Sequence, residues 1–185
     1  MLTTVSRAYG VADPAEVRLM SGREFLQAIL DGRLPAPPIA KTLSFWLTEI
    51  GDGFAAFEGD AGPHLLNPLG IVHGGWALTL IDSAAGCAAH TLLPAGGGYA
   101  TIETKANFSK PIAKDTGRVR AEGRAVGRGR RIISCEARVV DVKGRLLAHG
   151  TSTLIVLAGD EAPAKPAPGG SVAGPPAPPR VGRRP

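Results

Sequence analysis

One short stretch of the sequence, residues 67–90, combines residue types that could carry out chemistry. It opens with the loop NPLGIVHGG and continues as a run of small and apolar side chains in which Asp82 is the only Asp, Glu, Lys or Arg. Burying a carboxylate in apolar surroundings costs several kcal/mol unless the group is paired, protonated or put to use. Asp82 is therefore the first candidate for a catalytic residue, with a buried Asp satisfied by Ser, Thr or a backbone amide as the alternative.

The glycines before this run supply a second chemical feature. Gly74 and Gly75 stand where the predicted helix begins, and a glycine backbone can be approached closely because it has no side chain. The start of a helix also presents free N–H groups and a partial positive charge. This combination predicts an oxyanion hole, in which amide N–H groups stabilise negative charge developing on an oxygen atom. A helix that merely begins with glycines is the alternative.

The spacing between these two features indicates more than one subunit. Gly74 and Asp82 are separated by eight helical residues, which is roughly 12 Å along the helix axis. Both groups must approach the same reacting atom to about 3 Å if they act together. One helix cannot bring its own two groups so close, whereas a two-fold dimer can do so twice with two copies. The stretch therefore predicts a dimer with two composite sites.

The elements that must position these residues follow from the patterns on either side. Ser21, with Glu24 three residues later, predicts a capped helix over SGREFLQAILD, and LPAPPIA after it predicts an extended connector. Two strands joined by GDG come next, and then the long helix, which runs to about Thr91. Four further strand patterns follow: YATIETKANF, RVRAEGRA, RIISCEARVVDV and RLLAHGTSTLIVL. These elements predict an α+β fold, in which an antiparallel sheet curls around one central helix.

Composition predicts how the chain is divided. The 185 residues suit one domain, which we place at 20–157, with an N-terminal extension at 1–19. Residues 158–185 hold 8 of the 16 prolines and almost nothing to pack, so we expect a disordered tail there. No secretory leader is evident, and the longest apolar run is too short for a membrane span. We therefore expect a cytoplasmic protein that does not bind membranes.

The charge and the cysteines limit the choice of partners. Residues 105–145 contain twelve Lys or Arg against four Asp or Glu, and the formal net charge of the chain is +5. This surplus suits a phosphorylated ligand, an anionic surface or simply a solvated sheet face. Nucleic acid is disfavoured because aromatic residues, which stack on bases, make up only 5% of the chain. Cys87 and Cys135 are expected to be reduced thiols, and no cluster has the spacing of metal ligands.

Taken together, the motif residues resemble a known family. Asn67, the GIVHGG turn and Asp82, nine residues after His73, are similar to the motif of hotdog-fold acyl-CoA thioesterases, especially the phenylacetic-acid-degradation (PaaI-type) branch. The resemblance covers about residues 20–157. It implies an antiparallel sheet wrapped around one long helix, with an extra N-terminal helix. It also implies hydrolysis of an acyl-CoA thioester to a free acid and coenzyme A, with no metal and no cofactor, by a homodimer that pairs into a tetramer.

The resemblance also implies individual roles. Asp82 would act as general base or as nucleophile, and the Gly74 amide would donate to the thioester oxygen. Asn67, from the subunit that supplies Gly74, would position the carbonyl or the attacking water. His73 would brace the turn, and Thr101 falls where related enzymes carry a Ser or Thr that helps to hold the water.

The remaining site residues concern the two ends of the substrate. Five basic residues are expected to contact the phosphates of coenzyme A: Arg128, Arg130, Arg131, Lys105 and Lys110. The acyl pocket is expected between helix and strands, and four residues are expected to form its walls: Trp76, Leu78, Gly86 and Phe108. Two alternatives stay open, a non-catalytic acyl-CoA-binding protein and an acyl dehydratase or hydratase, although the chain lacks the HFPG-like turn of the latter. The acyl group itself is not specified by the sequence.

Overall fold

The structure, a computed structural model, describes residues 8–157, and three short helices precede its sheet. They are α1 (Pro14–Val17), α2 (Gly22–Leu30) and α3 (Pro38–Thr42). The predicted capping box is present at α2, since the Ser21 hydroxyl accepts from the Glu24 N–H and the Glu24 carboxylate accepts from the Ser21 N–H. The extended connector predicted over LPAPPIA is only partly right. It continues into α3, because a proline at the first helical position sacrifices no hydrogen bond.

Six strands form a single antiparallel sheet in the described part of the chain. They are β1 (Phe45–Gly51), β2 (Phe54–Asp60), β3 (Gly98–Phe108), β4 (Arg118–Arg128), β5 (Ile132–Asp141) and β6 (Leu146–Leu157). Their order across the sheet is β1-β2-β4-β5-β6-β3. All six strands were predicted from the sequence. The order places β3 at one edge, where it pairs with β6 alone.

The long helix α4 (Gly74–His90) lies against the sheet and forms the centre of the core. Small side chains let it approach closely: Ala84, Ala85 and Ala88 are fully buried. The contact with β4 is closest at Gly123, where an added Cβ atom would overlap the Ala84 carbonyl group. A sheet that wraps a helix this tightly is the α+β architecture that the sequence predicts.

Strand alternation holds in the centre of the sheet and fails at its edge. Val119 and Ala121 of β4 are buried, as are Ile133, Cys135, Ala137 and Val139 of β5. In β3 the register shifts between Thr101 and Glu103, so simple alternation along the strand does not hold there. Ile102 is 57% exposed, whereas Thr104 is half-buried.

The predicted domain boundaries remain predictions. Residues 8–10 run beside Ala36, whose N–H donates to the Ala8 carbonyl at 2.8 Å, so part of the N-terminal extension packs on the connector. The predicted tail, residues 158–185, lies outside the described residues. Within the described part of the chain, no helix is long and apolar enough to cross a membrane.

Candidate active site

A tight turn built by Asn67 leads into α4. The Asn67 side-chain oxygen accepts from the backbone N–H groups of Leu69 at 2.9 Å and Ile71 at 3.3 Å. The backbone N–H of Asn67 also donates to the Ile71 carbonyl at 2.8 Å. The side-chain oxygen therefore shapes the loop, and within residues 8–157 the Asn67 NH₂ group keeps no hydrogen-bond partner.

His73 and Gly74 form the start of α4. His73 is the N-cap, and its Nδ1 accepts from the Gly75 N–H at 2.9 Å. In the neutral ring the proton is therefore on Nε2, because Nδ1 is used as an acceptor. The Gly74 N–H, at the first helical position, donates to no acceptor within residues 8–157. It is the donor that an oxyanion hole requires.

The turn and the helix start share one cavity of about 350 Å³. Asn67, His73 and Gly74 line it together with Phe108 and Lys110. The Phe108 ring covers Gly74 so closely that an added Cβ atom would lie 3.1 Å from its Cζ. The structure thus brings together three predicted catalytic residues, one predicted pocket residue and one predicted phosphate ligand.

Asp82 lies half-buried in the middle of α4. Its Oδ1 accepts from the Thr104 hydroxyl at 2.9 Å, and the Thr104 oxygen lies 2.9 Å from that of the buried Ser152. Because the Thr104 proton is donated to the carboxylate, the one Ser152 proton has two acceptors, the Thr104 oxygen and the Glu103 carbonyl oxygen at 3.2 Å. No cation pairs with Asp82 within residues 8–157. The carboxylate is thus held in place but not neutralised.

Sequence reasoning missed Thr104 as the hydrogen-bond partner of Asp82; the threonine that it named, Thr101, was expected to help hold the attacking water, and that role stays a prediction. Within one chain, Thr101 is exposed, lies beside the register shift and pairs with Leu154 of β6. Its side chain makes no hydrogen bond to another described residue. A threonine on the strand face that meets an apolar helix was a usable signal for Thr104. The register shift, which decides where Thr101 points, is not visible in the sequence.

The four predicted walls of the acyl pocket do not come together. Trp76 is 3% exposed, and its indole N–H donates to the Leu43 carbonyl at 2.7 Å. Six residues of helix turn it about 120° away from Asp82, so within one chain Trp76 packs in the core rather than beside the carboxylate. Phe108 lies at Gly74, Gly86 lies under Tyr99, and Leu78 is half-buried on the helix face near Asp82.

A second cavity, of about 250 Å³, lies under α2 at the other end of α4. Cys87, His90 and Tyr99 line it, among mainly apolar neighbours. Burial and, secondarily, the charge of Asp82 raise the pKa of Cys87 to about 12. Burial is also the main reason why the pKa of Tyr99 is raised well above its usual value and that of His90 is lowered. All three groups are therefore uncharged at neutral pH.

The predicted phosphate ligands occupy opposite ends of the sheet. Arg128, Arg130 and Arg131 are exposed around the β4–β5 turn and make no ion pair within the described residues. This turn is close to the start of β3, because the first residues of β5 and β3 both pair with the end of β6. Lys110 follows the other end of β3, and Lys105 is exposed between the two ends.

Both cysteines are unpaired thiols, as expected. In the described part of the chain, no group of three or more His, Cys, Asp or Glu side chains is arranged to hold a metal ion.

Comparison with known proteins identifies the class to which this fold and site belong. The family model of the thioesterase superfamily matches residues 69–148, which include His73, Gly74 and Asp82. A Mycobacterium tuberculosis protein described as a candidate esterase is 31% identical over 124 residues, covering 63% of this chain and 87% of the relative. The chain belongs to the thioesterase superfamily, and it is a thioester hydrolase.

Solved structures confirm the hotdog fold. A candidate thioesterase related to phenylacetic acid degradation from Ralstonia eutropha superposes with a TM-score of 0.65 at 25% identity, covering 71% of this chain and 98% of that one. A mutant form of the phenylacetic acid degradation protein PaaI from Thermus thermophilus gives 0.58 at 27% identity, covering 64% and 97%. The similarity thus extends to the PaaI-type branch named from the sequence.

Proposed function

We propose that this protein is an acyl-CoA thioesterase whose active site is shared between two subunits. The Gly74 N–H of one subunit binds the thioester oxygen, and Asp82 of the other drives the attack. The observation that supports this arrangement is that one helix carries both an unpartnered N–H at its start and an unneutralised carboxylate two turns later. The roughly 12 Å of helix between them keeps the pair from meeting within a subunit.

The Gly74 end stabilises the transition state. When the thioester carbonyl is attacked, negative charge develops on its oxygen, and an N–H group at a helix start is already oriented towards it. His73, held as the N-cap by its bond to Gly75, fixes the direction of this N–H. The free NH₂ group of Asn67 faces the same cavity and orients the carbonyl or the attacking water.

Asp82 supplies the base or the nucleophile. As a base, it takes a proton from water while the water oxygen bonds to the acyl carbon; the C–S bond then breaks, and the proton passes to the coenzyme A thiolate. As a nucleophile, an Asp82 oxygen bonds to the acyl carbon and the C–S bond breaks, which releases the coenzyme A thiolate and leaves a mixed anhydride. Water then cleaves the anhydride to the free acid and the restored Asp82 carboxylate, and a proton from that water passes to the thiolate. In both routes Thr104 orients the carboxylate. Neither route uses a metal or a cofactor beyond the coenzyme A of the substrate.

The dimer requires a surface at which two copies meet. Strand β3 provides such a surface, because its outer edge pairs with no other strand of the described sheet. The Ile102 side chain on this strand is also 57% exposed. Two-fold pairing of this edge would run the two α4 helices in opposite directions, which brings the start of one towards the middle of the other. A tetramer built as a dimer of dimers is the next level of the proposal.

The same antiparallel arrangement groups the basic residues. Within one chain Lys110 and the Arg128–Arg131 turn lie at opposite ends of β3, so a two-fold axis near its middle brings Lys110 towards the partner's arginine turn. We assign the phosphates of coenzyme A to this combined surface, with Lys105 beside it. These side chains are exposed, so they can reach a ligand without breaking an existing ion pair.

The test is release of coenzyme A from a panel of thioesters by the full chain. We expect the wild type to release the thiol and Asp82→Ala to lose about 10³-fold in kcat, because the base or nucleophile is gone. Ser83→Ala, the neighbouring half-buried position, is the matched control and should stay within about twofold of the wild type. Equal activity of wild type and Asp82→Ala would contradict the mechanism. Binding of acyl-CoA without turnover by the wild type would indicate an acyl-CoA-binding protein instead.

A further inference from the structure

The cavity under α2 has walls from several parts of the fold. Phe25 and Ile29 of α2 form its roof, and Cys87 and His90 of α4 form part of its floor. Aromatic contacts connect these walls, since the His90 ring lies 5.6 Å from Phe25 and 5.4 Å from Tyr99 between ring centroids. The remaining lining comes from the N-terminal segment, the Pro35–Pro37 region, β1 and β2.

Helix α2, which covers the cavity, is anchored at its start to the end of α4. The N–H of Gly22, the first residue of α2, donates to the Leu93 carbonyl at 3.1 Å. Gly22 is also so close to α4 that an added Cβ atom would overlap the His90 carbonyl oxygen. The start of α2 is therefore anchored on the end of α4, and the cavity is a defined space rather than a gap under a loose segment.

Among residues 8–157, no charged side chain lines this cavity. Its titratable groups are the Cys87 thiol, the His90 ring and the Tyr99 hydroxyl, and burial keeps all three neutral at pH 7. The Tyr99 hydroxyl has no hydrogen-bond partner within residues 8–157. Such a lining favours an uncharged, apolar occupant with room for one hydrogen bond.

The cavity reaches the helix turn that follows Asp82, because Cys87 lines it and Tyr99, another lining residue, packs on Gly86. Gly86, one helical turn after Asp82, has no side chain, and the Tyr99 phenol occupies the space: an added Cβ atom would lie 2.5 Å from its oxygen. The Asp82 carboxylate is close enough to contribute to the raised pKa of both Cys87 and Tyr99. Tyr99 thus stands between the carboxylate and the apolar space beyond it.

We propose that the cavity under α2 receives the acyl group of the thioester, and that Tyr99, seated on Gly86, is the residue that determines which acyl groups enter. This inference rests on the proposed thioesterase function and on Asp82 as its carboxylate. The subunit that supplies Asp82 then also supplies the acyl pocket, and its partner supplies the oxyanion donor.

The size of the cavity defines a substrate class. An apolar cavity of about 150 Å³ is large enough to bind benzene, and this one is about 250 Å³. It therefore suits an aryl ring with a short linker or a medium-length alkyl chain. Acyl groups that carry a charge at their far end are excluded, because nothing in the lining would compensate for the desolvation of that charge.

Filling the cavity from its roof tests the proposal. Ile29→Trp places a large side chain in the space, and Arg23→Trp places the same residue on the solvent side of α2 as the matched control. We would measure kcat/KM for acetyl-, hexanoyl- and phenylacetyl-CoA. Ile29→Trp should lower the two larger values about tenfold or more and leave acetyl-CoA within about twofold, because lost contacts in an apolar pocket cost about this much. Arg23→Trp should change none of them.

Three further substitutions keep the test decisive if Ile29→Trp does not fold. Ile29→Ala enlarges the cavity and should shift the preference towards longer acyl chains. Gly86→Ala should push Tyr99 into the cavity and reduce hexanoyl- and phenylacetyl-CoA hydrolysis selectively, and Tyr99→Phe should relieve part of this loss by removing the colliding oxygen. Equal effects on all three substrates, or a wild type that hydrolyses acetyl-CoA alone, would overturn the acyl-pocket assignment. A wild type inactive on every thioester would instead contradict the proposed function.

Discussion

The two ends of α4 lie in contrasting surroundings. At its start, the unpartnered Gly74 N–H meets a cavity to which Asn67, His73 and Lys110 contribute polar groups. At its other end, past Asp82, the helix faces an apolar cavity whose titratable groups Cys87, His90 and Tyr99 are neutral. A thioester of coenzyme A has the same asymmetry, with an apolar acyl group on one side of the carbonyl and a polyanion on the other.

Under the proposed mechanism, this contrast lets one helix serve two half-sites. A helix start is suited to developing negative charge because its N–H groups and its dipole favour an anion. The middle and end of α4 are suited to an acyl group because their small side chains leave space against the sheet and α2. Asp82 lies at the boundary, where Thr104 gives the carboxylate one hydrogen bond and leaves its other oxygen available.

After Asp82→Ala, the largest effect is expected at the start of the helix. Gly74→Pro removes the proposed oxyanion N–H but keeps the helix, because proline is tolerated at the first helical position and His73 already has the extended backbone that a following proline needs. We expect kcat to fall about 10²–10³-fold. Gly74→Ala keeps the N–H and adds the same crowding against Phe108, so it should lose far less. Similar losses in both variants, measured by thiol release, would show that crowding rather than the N–H matters.

A smaller effect is expected at the boundary between the two regions. Thr104→Val keeps the shape of the side chain and removes the hydrogen bond to Asp82. Because a hydrogen bond to a charged group contributes about 1.5–3 kcal/mol, we expect kcat to fall about tenfold with KM nearly unchanged. Thr104→Ser, which retains the hydroxyl, should recover most of the activity. An equal loss in the Ser variant would assign Thr104 a packing role instead of a positioning one.

The smallest effect is expected in the pH dependence of the free energy of unfolding, through His90 at the apolar end of α4. Burial lowers the pKa of His90 from its ordinary value of 6.5. Between that lowered pKa and about 6.5 the unfolded chain binds more protons than the folded one, so the free energy of unfolding should fall as pH decreases through this window. His90→Gln should remove this part of the pH dependence, seen by comparing urea unfolding of both proteins between about pH 7 and pH 5. Identical pH profiles would show that His90 does not stay neutral in the fold.

The sequence predicts the individual helices and strands of this fold better than the pairing and register between them. The capping box at Ser21 and the glycine start of α4 are local signals, and both are where the sequence places them. The pairing of β3 with β6 and the register shift after Thr101 arise from contacts between segments far apart in the chain, which no local pattern reports.

The same difference between local signals and contacts of distant segments applies to the predicted site residues. Asn67, His73 and Gly74 come together because they are neighbours in the chain. The acyl walls named from the sequence did not, because the lining of the second cavity is gathered from several separate segments between Gly10 and Tyr99. A large aromatic side chain such as that of Trp76 is typical of a pocket wall, but its position on α4 directs it into the core.

The most direct test of the central claim is complementation between two inactive variants. Asp82→Asn and Gly74→Pro would be co-expressed with different tags, and the heterodimer would be purified and assayed for thiol release against each homodimer. In a shared site the heterodimer contains one intact pair, Asp82 from one chain and Gly74 from the other, so it should recover about half of the wild-type kcat per dimer. A heterodimer no more active than the two homodimers would show that Gly74 and Asp82 do not act together across subunits, and would contradict the account.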